Sequence, residues 1–340
     1  MIEIVPALLA GDRRALARLL TRIENESPGA AEALAALYPH TGHAHIIGVT
    51  GSPGTGKSSL VNAIAQAYRA QGKTVGIICV DPTSPFTGGA ILGDRIRMRD
   101  LAGDAGVFIR SMATRGSLGG LSRTARDAVR ALDAAGFDVI LIETVGAGQS
   151  EVDIVRAAQT TLVVDAPGMG DDVQAIKAGI LEIADVLVVN KADRPGVDNT
   201  VRALRTMIET GHPVRRGQMT THHGQVMHLE ADPLPPVDDS MWIPPILRTV
   251  APEGQGIAEV LAAVKQHRDY LDQGDHRHQL ERHQVEFELL TRLEAALMAR
   301  FLGALPPQAM TELVDRVRAR ELDPAAAVEA LLKLPKSWGE

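Results

Sequence analysis

Five short apolar runs, at residues 46–49, 75–80, 138–142, 161–165 and 186–190, alternate with helix-length segments along the middle of this chain. Strands that alternate with helices are joined by right-handed crossovers, so the expected fold is α/β, a mostly parallel sheet flanked by helices. The regions outside this pattern read as helix. Gly11-Asp12 precedes Ala15, Leu16, Leu19, Leu20 and Ile23, which recur at i, i+3 and i+4 and mark one apolar stripe. A second short helix is expected over 29–37, and further helices over 257–271, 278–302, 307–320 and 324–333. The expected organisation is a helical extension at 1–44, an α/β domain at 45–256 and a second helical extension at 257–340. Residues 212–245 hold His212, His222, His223 and His228 among many prolines, with no sustained apolar period. They read as a long surface loop, with an insertion at about 212–240.

The 340 residues are 45% hydrophobic, enough for a sizeable core, and their 35 basic against 42 acidic side chains leave a net charge of −7. That balance argues against a nucleic-acid coat or an anionic-membrane binder. With 3% aromatic residues, base-stacking platforms are not expected. Cys79 is the sole cysteine, which excludes an internal disulfide or a multi-cysteine metal site and suits a reducing compartment. Neither a signal peptide nor a membrane-length apolar run is read, so a cytoplasmic protein without nucleic-acid or membrane partners is expected.

Residues 51–58 read G-S-P-G-T-G-K-S, directly after the strand I-I-G-V-T and directly before a helix. This is the phosphate-binding loop in its required context. Gly51, Gly54 and Gly56 let the backbone of Ser52, Pro53, Thr55 and the residues up to Ser59 curl around a phosphate, whose charge also meets the helix N-terminus. Lys57 is the expected cation for the β- and γ-phosphates, and the Ser58 hydroxyl an expected Mg2+ ligand.

Two further strands end in an acid, V-G-I-I-C-V-D at Asp81 and D-V-I-L-I-E at Glu143. Ligands of an open parallel sheet sit beyond the carboxyl ends of its strands, so both carboxylates are expected near the same metal and phosphates. Glu143 opens E-T-V-G-A-G-Q-S, where Gly146 is placed like a switch glycine meeting a γ-phosphate. Asp81 opens a Gly- and hydroxyl-rich segment closed by Asp94, a candidate second carboxylate for the metal. No arginine is placed by motif to reach the γ-phosphate, although Arg95, Arg97, Arg99, Arg110 and Arg115 lie nearby in sequence.

The strand A-D-V-L-V-V runs into N-K-A-D at 190–193. The Asp193 carboxylate can accept from N1 and N2 of guanine, a donor pair that adenine lacks. Asn190 can bond the base and the nearby loop, and the Lys191 stem can lie across the ring face. GTP and GDP are therefore the expected nucleotides.

Together, G-x-x-G-x-G-K-S, D-P-T-S-x-x-x-G-G-x-I-L-G-D (81–94), R-G-S-L-G-G (115–120), E-T-V-G-x-G-Q-S-E (143–151) and N-K-A-D resemble the MeaB/ArgK GTPases, from about residue 8 to about Tyr270. The resemblance implies a P-loop GTPase of the signal-recognition/MinD-like branch. It implies a homodimer, formed with the C-terminal helices, that gates adenosylcobalamin loading and off-loading and protects an adenosylcobalamin-dependent acyl-CoA mutase such as methylmalonyl-CoA mutase. It implies that Asp81, Asp94 and Glu143 line the metal and the hydrolytic water, with Lys57, Asp94 and Glu143 catalytic. Residues 167–177 are similar to the family's extra switch, with Gln174 and Lys177 as its polar contacts to the partner. The family's base-side S-A reads Val250-Ala251 here, which leaves the backbone N–H of Ala251 to meet guanine O6, and its Trp-rich dimer helix reads R-H-Q-V-E-F-E-L-L at 282–290, without Trp. Two alternatives are a nickel-delivery GTPase using the histidine loop as a metal store, and a P-loop kinase.

Overall fold

The structure is a computed structural model. It describes residues 4–81, 98–101, 103–113, 123–144, 154–168, 183–210 and 241–334, and the backbone at 221–222 and 225–226. Its centre is a parallel sheet whose strands are β1 (His45–Thr50), β2 (Val75–Asp81), β3 (Val107–Ala113), β4 (Val139–Thr144), β5 (Thr160–Asp165), β6 (Val186–Asn190) and β9 (Ile246–Thr249). Their spatial order is β3-β2-β4-β1-β5-β6-β9, and every neighbouring pair is parallel. A two-residue antiparallel pair, β7 (Thr221–His222) with β8 (Gln225–Val226), stands apart from it.

Five of the seven strands are the apolar runs visible in the sequence; β3 and β9 are additions to that reading. The inner strands are covered on both faces, and all seven residues of β2 and all six of β4 are buried. Such strands are apolar along most of their length and read as near-continuous runs, broken here only by the polar residues at their carboxyl ends. The additions are the two edges of the sheet. β3 carries Arg110 and Ser111 at its half-buried middle, and β9 is four residues long and only partly buried. An edge strand has less to bury, so its apolar signal is weaker.

The helices are α1 (Ile4–Leu9), α2 (Arg13–Glu24), α3 (Ala30–Leu37), α4 (Lys57–Ala70), α5 (Arg123–Ala134), α6 (Val197–Thr210), α7 (Ile257–Leu271), α8 (His276–Gly303), α9 (Ala309–Arg318) and α10 (Pro324–Lys333). Strand side chains alternate between the sheet faces. Ile78, Val80, Ile140 and Ile142 therefore join one core with α2 and α5, while Ile77, Cys79, Leu141 and Val188 join the other with α4 and α7. The carboxylate of Asp12 caps α2 by accepting from Arg14 N at 2.7 Å and Ala15 N at 3.3 Å. The buried face of that helix is the stripe Ala15, Leu16, Leu19, Leu20 and Ile23.

Asp133 of α5 fixes the entry into β1. Its buried carboxylate accepts from the backbone N–H groups of Gly42 at 2.5 Å, His43 at 3.1 Å and Ala44 at 2.9 Å. Replacing it with alanine strands three donors, at least one fully buried, and unmade bonds of this kind cost about 1–3 kcal/mol each. Asp133→Ala is expected to lower stability by about 2–4 kcal/mol in urea unfolding, whereas Asp133→Asn, which keeps one acceptor oxygen, should lose less.

The chain divides into two compact units, residues 1–280 and 281–340. In the second, Leu313 of α9 packs with Ala327 and Leu331 of α10, beside Phe301 and Leu305. Along α8, Val285, Leu289, Leu293 and Leu297 recur every fourth residue and stand exposed. No helix among the described residues is long and apolar enough to cross a membrane.

Candidate functional site

The loop between β1 and α4 is shaped by glycines that no other residue could replace. Gly51 has φ +136°, and a Cβ there would lie 2.1 Å from the carbonyl oxygen of Val164. Gly56 has φ +92°, and its Cβ would lie 2.4 Å from Asn190 Nδ2. Thr55 is buried and its hydroxyl donates to Ser52 O at 2.9 Å, while Pro53, Gly54 and Ser59 are exposed. Lys57 begins α4, and its ammonium donates to the carbonyls of Gly51 at 2.6 Å and Ser52 at 3.0 Å. The cation thus lies within the loop that carries it.

The next residue, Ser58, lies at the carboxyl end of β4. Its hydroxyl donates to Glu143 Oε1 at 2.5 Å, and the Cys79 thiol lies 3.9 Å from Glu143 Oε2. Asp81 ends the adjacent strand β2 and is 2% exposed, against 1% for Glu143. The donors Ser58, Asp81 and Glu143 are all oxygens, which fits Mg2+, a hard cation that takes few protein ligands and fills its shell from phosphate and water. Among the described residues no group of three His, Cys, Asp or Glu side chains is arranged to hold a metal.

On the other side of the loop, β6 delivers N-K-A-D. Asn190 Nδ2 donates to the P-loop carbonyl of Thr55 at 2.9 Å. Its Oδ1 accepts from Thr249 Oγ1 at 3.1 Å and from the Ala251 N–H at 3.2 Å. Lys191 adopts φ +56° and its ammonium reaches Gly54 O at 2.5 Å, so the stem spans from β6 to the P-loop. The Ala192 N–H donates to Thr249 O at 3.0 Å, and Asp193 follows, exposed. Val250 and Ala251 are buried. The N–H of Ala251, expected at guanine O6, is here engaged by Asn190. Thr249 was not singled out by sequence; its only signal is its place directly before Val250-Ala251.

Arg110 forms an ion pair with Glu24 of α2. Asp94, Gly146, Gln174 and Lys177 lie outside the described residues, as do Arg95, Arg97, Arg115 and the loop histidines' side chains.

A parallel sheet with a glycine loop, Lys57 and Ser58 at the start of the next helix, acids at two strand ends and an N-K-A-D segment bonded to that loop defines a P-loop nucleotide-binding protein. The profile described as Methylmalonyl Co-A mutase-associated GTPase MeaB matches residues 16–305, and the chain belongs to this family of GTPases. It is 43% identical to a Pyrococcus abyssi protein whose name describes it as a GTPase, over 97% of this chain and 95% of the relative. GTPase ArgK of Escherichia coli is 37% identical over 78% of this chain and 75% of its own. The methylmalonic aciduria type A homologue of Caenorhabditis elegans is 28% identical over 97% and 82%. A solved structure described as a LAO/AO transport system kinase superposes with a TM-score of 0.68 at 26% identity, covering 97% of this chain and 96% of that one.

Proposed function

We propose that the protein is a cytoplasmic, Mg2+-dependent GTPase that acts as a chaperone of an adenosylcobalamin-dependent acyl-CoA mutase, gating loading and off-loading of the mutase cofactor. Membership of a family named for its association with methylmalonyl-CoA mutase, over residues 16–305, carries this reading.

In the nucleotide site, the N–H groups of residues 51–59 cradle the phosphates and the Lys57 ammonium exchanges the carbonyls of Gly51 and Ser52 for phosphate oxygens. Ser58, Asp81, Asp94 and Glu143 would hold Mg2+, which would supply positive charge against the phosphates. Glu143, which accepts from the Ser58 hydroxyl, would orient the attacking water. Gly146 senses the γ-phosphate from the switch. Asp193 reads the guanine edge, with Asn190, Lys191, Val250 and Ala251 forming the rest of the base pocket. Gln174 and Lys177 contact the partner. The exposed apolar row on α8 supports a homodimer, since Val285, Leu289, Leu293 and Leu297 present a continuous stripe to a second copy.

Single-turnover GTP hydrolysis with and without the cognate mutase tests the reading. With Arg110 paired to Glu24 and no motif arginine, turnover alone should be slow, and a docked mutase should raise it about tenfold or more. Lys177→Ala should keep the basal rate and lose most of that acceleration. A rate indifferent to the mutase, with no complex on gel filtration in any nucleotide state, would refute the chaperone role.

A further inference from the structure

At the end of the sheet opposite the P-loop lies a buried polar chain that the phosphate chemistry does not use. His45 begins β1, Thr160 begins β5, Asp185 stands immediately before β6, and His267 lies on the inner face of α7. All four are buried. His45 Nε2 is 3.0 Å from Thr160 Oγ1, and the same oxygen is 3.0 Å from His267 Nδ1. His267 Nε2 faces Asp185 Oδ1 at 3.2 Å, while Asp185 Oδ2 accepts from Thr161 N at 2.7 Å. The carbonyl of Asp185 takes the indole N–H of Trp242 at 2.8 Å, and the Trp242 ring lies 5.0 Å from that of His267. Burial, and after it Arg268, His267 and Arg277, pushes His45 down to about 3, so its ring is neutral and bonds as an uncharged member. A buried chain with each member bonded is stiff, because breaking one link exposes polar groups to an apolar interior.

The placement of this chain matters more than its composition. β6 is five residues long; Asp185 directly precedes it and Asn190 is its last residue. The segment from Trp242 runs up β9 beside β6, turns through residues 250–256, and returns down α7 to His267. Asp185 therefore holds both free ends of this hairpin, through Trp242 and His267. Asn190 holds its turn, through Thr249 and Ala251. There is little slack between the two anchors. Gly256 begins α7 at φ +76°, and a Cβ there would lie 2.0 Å from Arg248 O.

We propose that His267, held by Asp185, is a positioning residue for guanine recognition, setting the depth at which β9 and α7 present Thr249, Val250 and Ala251 to Asn190 and the base. This rests on the base-side reading of Asn190, Asp193 and Val250-Ala251 given above. The hairpin reaches the P-loop through Asn190, which also bonds Thr55 O, whereas Lys57 is anchored on Gly51 and Ser52 of the loop itself, so base recognition should respond far more than phosphate binding.

The experiment compares the full-length parent with His267→Phe, His267→Gln, Trp242→Phe and Asp193→Asn. Displacement of fluorescent GDP by GDP, ADP and inorganic pyrophosphate is measured well below each melting temperature. His267→Phe, which fills the volume but breaks both links, should weaken GDP about tenfold and leave pyrophosphate nearly unchanged, so the GDP-over-ADP preference falls by the same factor. His267→Gln can restore the donor to Asp185 and should recover most of the GDP affinity. Should His267→Phe fail to fold, Trp242→Phe, which keeps a smaller aromatic ring but loses the indole donor, is expected to shift GDP in the same direction by about threefold. A lowered melting temperature with parent-like GDP affinity in the folded variants would show a merely structural role and overturn the proposal. If Asp193→Asn loses the guanine preference while the His267 and Trp242 variants keep it, this proposal alone fails. If the parent binds ADP as well as GDP, the base-side reading fails and takes the proposal with it.

Discussion

Lys57→Ala is expected to raise the dissociation constant for GTP about a hundredfold and to cut single-turnover hydrolysis about a thousandfold or more. Lys57 is 6% exposed, and its ammonium donates to two carbonyls of the loop it belongs to, those of Gly51 and Ser52. Carbonyl dipoles stabilise a buried cation only partly, so phosphate oxygens bearing full charge displace them readily. Alanine removes this neutralisation in the bound state and again as charge shifts toward the leaving phosphate, so affinity and rate fall together. Lys57→Met, which keeps most of the side-chain volume without the charge, should lose as much. Core packing of α4 depends on Leu60, Val61, Ile64 and Ala65 and is untouched, so melting should stay near the parent's. Equilibrium titration with a fluorescent GTP analogue and a quenched-flow or malachite-green single turnover measure both quantities. Parent-like turnover in Lys57→Ala would overturn the assignment.

The same distinction between local and distant contacts explains what the sequence discloses. The P-loop is legible because its whole signal lies within eight consecutive positions, 51–58, bracketed by a strand and a helix. The strand-end acids are legible because parallel strands all present their carboxyl ends to one side, so Asp81 and Glu143 must share it. What escapes is contact between residues far apart in the chain. Arg110 belongs, by sequence, with the arginines following the first switch segment; in the structure it pairs with Glu24, on a helix before the sheet begins. Asn190 is recognisable as part of N-K-A-D, but its bond to the Ala251 N–H spans 61 residues and has no local signal. The chain from His45 to Asp185 has no motif, because each member comes from a different element and no spacing rule relates them. Edge strands β3 and β9 escape for an energetic reason: they bury less, and so need less of the apolar repetition by which a strand is read.

Base choice gives the second large effect. Asp193 follows Lys191, whose φ of +56° and bond to Gly54 turn the chain so that positions 192–193 leave the strand end beside the P-loop. The Ala192 N–H to Thr249 O bond fixes that exit. On the proposed reading, a carboxylate there would accept from both N1–H and N2–H of guanine. Asparagine keeps one acceptor but turns an NH2 group toward another donor, leaving two N–H groups opposed with no lone pair between them. A site built around such a hydrogen-bond pattern rejects the mismatched partner by about 10⁴ or more at the extreme, because its polar groups are left unpaired. Asp193→Asn should therefore weaken GTP by about a hundredfold or more. Xanthine carries a carbonyl where guanine carries its 2-amino group, so the new NH2 meets an acceptor and xanthosine triphosphate should gain what GTP loses. Competition of GTP, xanthosine triphosphate and ATP against fluorescent GDP reads all three at once. ATP should stay weak in both proteins, since adenine offers neither pattern, and pyrophosphate should compete equally with each, since the P-loop is unchanged. A variant that keeps its GTP affinity, or that gains ATP as much as xanthosine triphosphate, would show that Asp193 does not face the base.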